Sequence, residues 1–187
     1  MTLASSEPPP LEIKITLALG LSVLSPYYRG FVKSLDLRGD ERVLDFGSGS
    51  GVCSRHIAAS LQRGGHLDCV DISQSWMNVI CKTLVRYDNV GYHLGQITQL
   101  SLPESAFDVV IVHFVLHDIP TNERPGVVNA LGRRLKPGGR LVLREPQGEG
   151  LTLEEIEQLA VATNLHPATL NAHKVATISV YDAQFIR

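Results

Sequence analysis

Two stretches of this chain, "DVVIV" at residues 108–112 and "RLVLRE" at 140–145, are nearly continuous apolar runs. A strand with one face in water alternates apolar and polar residues, so an unbroken run marks a strand buried on both faces, the habit of a parallel sheet sandwiched by helices. The rest of the chain alternates such runs with helical periods. Strands are predicted at Arg42–Phe46, His66–Asp71, Gly91–Leu94, Asp108–His113 and Arg140–Glu145, and helices near Gly51–Gln62, Ser73–Tyr87 and Asn122–Leu135. Repeated strand-helix units imply right-handed crossovers and an α/β, doubly wound, Rossmann-like sheet. The turn "KPGG" at residues 136–139 reads as the stop between a helix and the strand after it. At 187 residues one domain is expected, burying roughly 70% of the surface of the unfolded chain.

Both ends change style. Residues 1–10, closing on Glu7-Pro8-Pro9-Pro10, read as a loose arm unable to begin a helix or central strand, and Leu11–Leu37 reads as helical with a break near Ser25-Pro26. Its apolar stretch "ITLALGLSVL" could line an acceptor pocket or simply pack on the domain. At the other end, Thr152-Leu153-Glu154-Glu155 is a capping box opening a helix at Leu153–Asn164. Strands near His166–His173 and Thr177–Ile186 follow, joined too tightly for a helical crossover, so they must run antiparallel.

In such sheets ligands bind beyond the carboxyl ends of the strands. There the chain carries "VLDFGSGSG" at residues 43–51. A dinucleotide fingerprint needs G-x-G-x-x-G, and counting from Gly47 its third glycine falls on Val52. The glycines stand at 47, 49 and 51 instead, behind Asp45. The turn therefore lacks the spacing expected for a pyrophosphate, which raises the question of a nucleoside ligand that carries no phosphate. Asp71 ends the second strand 24 residues past Gly47, near the roughly 20-residue offset at which a carboxylate meets ribose hydroxyls; the alternative is an N-cap for the next helix. After the third strand, Gln96 offers an amide to a base edge and Ile97 an aliphatic cover for its ring, unless the glutamine is merely an exposed loop residue.

Together with "LDCVDIS", "GQITQLSLPESAFDVVIVHFVLHDI" and "LGRRLKPGGRLVLREP", the glycine turn resembles the class I S-adenosylmethionine-dependent methyltransferases, over about residues 40 to 187. The resemblance implies a seven-stranded sheet, mostly parallel with one antiparallel strand near the C-terminus. It implies S-adenosyl-L-methionine as cofactor and S-adenosyl-L-homocysteine as product. Asp45, Gly47, Gly49 and Gly51 would hold the methionine part, Asp71 and Ile72 the ribose side, Gln96 and Ile97 the adenine, and His113 would offer strand-end backbone. Trp76 and Met77 would either approach the adenine or join the core. The domain split implied is an N-terminal arm and helical lid at 1–36 and a cofactor-binding domain at 37–187. Tyr27 and Tyr28, with Arg29, would be acceptor contacts or aromatics packed on the sheet. "VLHDIPTNER" also looks like the His-Asp segment of small-molecule O-methyltransferases, which would make His117 the general base and Glu145 its orienting partner; the alternative is a structural histidine. Methyl transfer from a sulfonium mainly requires positioning, and an imidazole titrating near neutrality suits partial proton removal from a hydroxyl.

Composition narrows the acceptor. A net charge of -2 with interspersed signs leaves no nucleic-acid footprint. Three cysteines without C-x-x-C spacing suggest neither a zinc site nor a disulfide framework, and no metal is expected. No segment reads as a membrane span, and a reducing cytoplasm is expected. The expected function is methyl transfer to a small-molecule acceptor, at a hydroxyl oxygen in one version. A methyltransferase-like subunit acting with a partner is the alternative. A nicotinamide-dependent reductase would need a Tyr-x-x-x-Lys pair, which the chain lacks.

Overall fold

The computed structural model describes residues 7–175 and 177–187; the first six residues of the expected N-terminal arm lie outside them. Seven strands form one sheet: β1 Arg42–Phe46, β2 His66–Asp71, β3 Val90–Leu94, β4 Phe107–His113, β5 Leu135–Pro146, β6 His166–Val175 and β7 Ile178–Ile186. Their order is β3-β2-β1-β4-β5-β7-β6. The order reverses between β1 and β4, the switch point of a doubly wound sheet. Within it β1 pairs parallel with β4, β2 with β3 and β4 with β5, while β7 runs antiparallel to both β5 and β6. The expected single reversed strand is therefore β7.

The chain divides into two compact units, one made of the residues up to Glu41 with Gly47–Gln96, the other of Arg42–Phe46 with Ile97–Arg187. The second holds β1, β4, β5, β6 and β7, with helices α5 Arg124–Arg134 and α6 Leu153–Val161. Its continuous apolar runs are buried on both faces as their sequence demands: Val43, Leu44, Val110, Ile111, Val112 and Leu141 are all 0% exposed. Each such side chain contributes roughly 1.5–3 kcal/mol by leaving water, and Ile111→Ala would cost about 2–5 kcal/mol. The "KPGG" turn differs from expectation. The helix ends at Arg134, Leu135 is already extended and pairs with Phe107, and the ladder slips before Arg140 meets Val109. The turn lies inside an irregular strand, with Gly138 at φ 77°. The edge strand β6 is mostly exposed and carries His173, Lys174 and Pro167, features that discourage edge-to-edge pairing.

The first unit holds α1 Pro10–Leu21, α2 Ser25–Ser34, α3 Val52–Ser60, β2, α4 Gln74–Thr83 and β3. Two expectations fail here. Pro10 does begin a helix, because at the first helical position a fixed φ suits the turn and the missing N–H has no partner to lose. Glu7 is tied down: its carboxylate accepts the Ser73 hydroxyl at 2.7 Å and the Gln74 and Ser75 amides at 3.0 and 3.1 Å. These are free donors at the positive end of α4, which attract a carboxylate. The α1 stripe does not simply pack. Gly20 is buried, and a Cβ there would stand 2.8 Å from Val52 Cγ2, yet Leu11, Ile15 and Leu19 on the other side are 67%, 50% and 46% exposed. Among the described residues no helix is long and apolar enough to cross a membrane.

Candidate cofactor and base sites

The glycine turn follows β1 and opens α3. Gly47, Gly49 and Gly51 all have positive φ, at 72°, 51° and 75°, a region in which a Cβ is strained. At Gly51 a side chain also has no room, since a Cβ would lie 2.5 Å from Ile80 Cγ1 on α4. The third glycine thus lets two helices approach.

Where the turn's amides go decides what it can bind. Gly47 and Ser48 N–H both donate to the Val70 carbonyl, at 2.9 and 3.1 Å, and Gly51 N–H to Ser48 O at 3.0 Å. Gly49 N–H donates to Asp71 Oδ2 at 2.8 Å. A phosphate cradle needs such amides free. These four are committed, so the turn suits a ligand that offers no phosphate, as its spacing suggests.

Asp71 is 8% exposed at the end of β2. Its Oδ1 accepts Ser73 N–H at 2.9 Å. The N-cap alternative is overturned, because the side chain that caps α4 is Ser73, whose hydroxyl accepts Trp76 N–H at 3.1 Å. Burial pushes the Asp71 carboxyl above its ordinary range, backbone N–H groups of Ser73, Gly49 and Ile72 oppose the rise, and the charge of Glu7 adds to it. Glu7 itself is held down at about 2, by the Ser75 and Ser73 hydroxyls first. The Gly49 and Ser73 amides take one site on each oxygen and the Ile72 amide adds a lesser contact, so the Asp71 carboxylate keeps lone-pair capacity for a ribose hydroxyl. A nucleoside with a free ribose, whose hydroxyls donate, fits this acceptor.

Gly95 N–H donates to the Asp71 carbonyl at 2.9 Å, which sets the loop after β3 beside the end of β2. Gln96 and Ile72 are half-buried. Ile97 is 1% exposed and Met77 6%, both core side chains, and Asp45 is buried within β1. Tyr27 and Tyr28 meet edge to face, with ring centroids 5.2 Å apart, and burial pushes the Tyr28 phenol up.

In the second unit, His113 ends β4 and its ring lies 4.5 Å from that of Phe114. Burial, helped by the Arg144 guanidinium, holds its imidazole down to about 3, so it stays neutral. Phe114 has φ 57°, rare for a bulky residue and common where function constrains the backbone. Nothing in the sequence marks it.

After Phe114 comes a single 3-10 turn, Leu116–Asp118. Glu145, at the far end of β5 and 0% exposed, holds it. Glu145 Oε1 accepts the N–H of Val115 at 3.0 Å and of Leu116 at 2.8 Å. Its Oε2 accepts His117 N–H at 3.3 Å and His117 Nδ1 at 2.7 Å. The structure thus joins the expected pair. A carboxylate at Nδ1 fixes the tautomer with the proton there, leaving the Nε2 lone pair outward. Nε2 stands 3.5 Å from Asp118 Oδ1, on a side chain 78% exposed. The Glu145 hydrogen bond raises the His117 pKa, burial opposes it, and the charges of Glu145, Asp118 and Glu149 add to the rise. The geometry can take a proton at Nε2 and store the resulting charge against Glu145. Among the described residues no cluster of histidine, cysteine, aspartate or glutamate could hold a metal ion.

Comparison with known proteins gives a family and a fold. A family described as a methyltransferase domain matches residues 43–139, more than half of the chain. The demethylmenaquinone methyltransferase of Tropheryma whipplei is 31% identical over 117 residues, covering 63% of this chain and 46% of that protein. The ubiquinone/menaquinone biosynthesis C-methyltransferase of Vibrio vulnificus is 31% identical over 111 residues, 58% of this chain and 42% of that one. The chain spans less than half the length of these curated relatives. A S-adenosylmethionine-dependent methyltransferase from Aquifex aeolicus superposes with a TM-score of 0.79 at 16% identity, over 96% of this chain and 99% of that one. On the family match the chain belongs to the methyltransferase domain family, and its fold is that of the S-adenosylmethionine-dependent methyltransferase on which it superposes.

Proposed function

We propose that this protein methylates a small molecule bearing an acidic aromatic hydroxyl, with His117 as general base. The observation that carries the proposal is the 2.7 Å bond from His117 Nδ1 to the fully buried Glu145, which leaves Nε2 as the proton acceptor. S-adenosyl-L-methionine, when bound, supplies an electrophilic methyl group. Asp71 would hold its ribose hydroxyls and the glycine turn its amino-acid end, with Asp45, Ile72, Gln96 and His113 as further contacts.

The chain's own work is to prepare the acceptor. His117 Nε2 removes the hydroxyl proton, and Glu145 stabilises the imidazolium that forms. On an aromatic ring the charge left by that proton spreads to the neighbouring ring carbons. One base therefore serves carbon as well as oxygen methylation: at a ring carbon the proton on that carbon leaves to solvent as the ring is restored, and the His117 imidazolium returns its proton to the ring oxygen. We take the ring carbon as the acceptor atom, as the names of the curated relatives suggest. Tyr27 and Tyr28 are the acceptor contacts of this reading.

The test is turnover of hydroquinones and phenols with the labelled methyl donor, the product being assigned by nuclear magnetic resonance. A C-methyl product that disappears in His117→Gln supports the proposal. An O-methyl product would correct the acceptor atom, and full turnover by His117→Gln would remove the base. The alternative is a methyltransferase-like cofactor-binding or scaffolding subunit acting with a partner: calorimetry that shows no binding of S-adenosylmethionine or S-adenosylhomocysteine would favour the scaffolding form, and cofactor binding without turnover of any acceptor the cofactor-binding form.

A further inference from the structure

Arg124 is the first residue of α5, where free N–H groups make the helix end positive and a cation is unfavourable unless something else holds it. Its side chain is only 5% exposed. Nε donates to Ile119 O at 2.9 Å, Nη2 to His117 O at 3.2 Å, and Nη1 to Gly150 O at 3.1 Å and Glu155 Oε1 at 2.7 Å.

The carbonyl of His117 lies within, and that of Ile119 just after, the short turn whose leading N–H groups are taken by Glu145. A single 3-10 turn has too few internal hydrogen bonds to hold its own shape. Here an anion binds its N–H groups and a cation its carbonyls, each matched to the dipole of the peptides it meets. A planar fork can reach two carbonyls and still pair with a carboxylate, which an ammonium cannot do. The other two bonds extend the clamp: Gly150 lies in the segment after β5, and Glu155 is the capping-box residue of α6, diverted to the guanidinium.

We infer that Arg124 is the positioning residue for His117, holding the turn so that Nδ1 stays on Glu145 and Nε2 faces the acceptor. The inference rests on the reading of His117 as the base. It also predicts a sign. The charged groups that act on the imidazole are Glu145, Asp118 and Glu149; Arg124 lies behind the turn with its charge offset by Glu155. If Arg124 acted only through its field, removing it would raise the His117 pKa. If it acts by position, loosening the turn lengthens the Glu145 bond and the pKa falls toward the ordinary value of about 6.5.

The experiment is a nuclear magnetic resonance titration of the imidazoles in the full chain, with the His117 signal assigned by its loss in His117→Gln. Wild type is expected to titrate above its ordinary value, and Arg124→Met closer to it. Arg124→Lys keeps the charge and loses the fork, so it is expected to fall as well, and it decides the matter if the methionine variant does not fold. A purely structural role would lower the melting temperature and leave the midpoint where it was; an unchanged or raised midpoint in both variants overturns the inference. Turnover keeps the two readings apart. If His117→Gln is inactive while Arg124→Lys titrates and turns over as wild type, the positioning role fails and the base stands. If His117→Gln is fully active, the base fails whatever Arg124 does. Where both hold, Arg124→Lys is expected to lose about tenfold to a hundredfold in kcat, the cost of a base misplaced by an ångström or less.

Discussion

Asp71 and Glu145 are both acids at the carboxyl end of a strand, and both accept backbone N–H groups, yet they are spent differently. Asp71 is held by the Ser73 and Gly49 amides, one on each oxygen, with a lesser contribution from Ile72, and keeps capacity in reserve. Glu145 takes three amides and an imidazole, and its side chain is 0% exposed. A carboxylate with unused lone pairs can recognise a ligand. One whose lone pairs are filled by the protein has none left for a ligand; Glu145 instead fixes the turn that carries His117 and faces its imidazole. Position in the fold is shared; hydrogen-bond accounting separates binding from orientation.

The sharpest way to break this comparison is to remove the imidazole that Glu145 holds and, separately, the Asp71 carboxylate itself. His117→Gln should lower kcat on the order of 100-fold to 10,000-fold, the usual worth of a general base, with S-adenosylhomocysteine affinity unchanged by calorimetry. If affinity falls in parallel, the division of labour is wrong. Asp71→Ala should do the reverse, weakening S-adenosylhomocysteine binding on the order of a hundredfold through two lost charge-assisted bonds. Because burial raises the Asp71 pKa, its charge at neutral pH costs the free protein stability. Asp71→Asn should therefore lose affinity while its melting temperature holds or rises, and a large drop in melting temperature would make Asp71 structural.

Gly51→Ala tests the turn itself and should destabilise by about 1–3 kcal/mol from strain and overpacking against Ile80, read by denaturant titration. A neutral result would mean that α3 and α4 can part.

The smallest effect is the pH dependence of stability. His117 has a raised folded pKa, so its contribution is complete below about 6.5, the unfolded value, and is lost as pH rises through the folded one. Glu145→Gln should flatten that slope and move the acid limb of the kcat profile down. An unmoved limb would show that another group titrates in catalysis.

The elements of the sheet were legible because periodicity is local. Continuous apolar runs announced β4 and β5, and Thr152 announced the start of α6, where its hydroxyl does accept Glu155 N–H. Locality also explains the failures. Three prolines read as a loose arm because the free donors of α4 that capture Glu7 lie 66 to 68 residues away. Asp71 could pass for a helix cap until Ser73 was seen to hold that place. Arg124 left one faint signal, a cation where a helix prefers an anion, and Phe114 left none, because nothing in "HFVLHD" marks a left-handed backbone.

The sequence by itself determined the doubly wound sheet, the ends of its strands and the acids and glycines that stand there, since these follow from spacing along a few residues. Only the tertiary structure decided which of those groups are consumed and which stay open. Gly49 reaches Asp71 across 22 residues, His117 reaches Glu145 across 28 and Arg124 reaches Glu155 across 31. The physical reason is that a hydrogen bond is directional and short, so its partners are fixed by where the folded backbone brings two atoms within three ångströms, which no periodicity along the chain encodes.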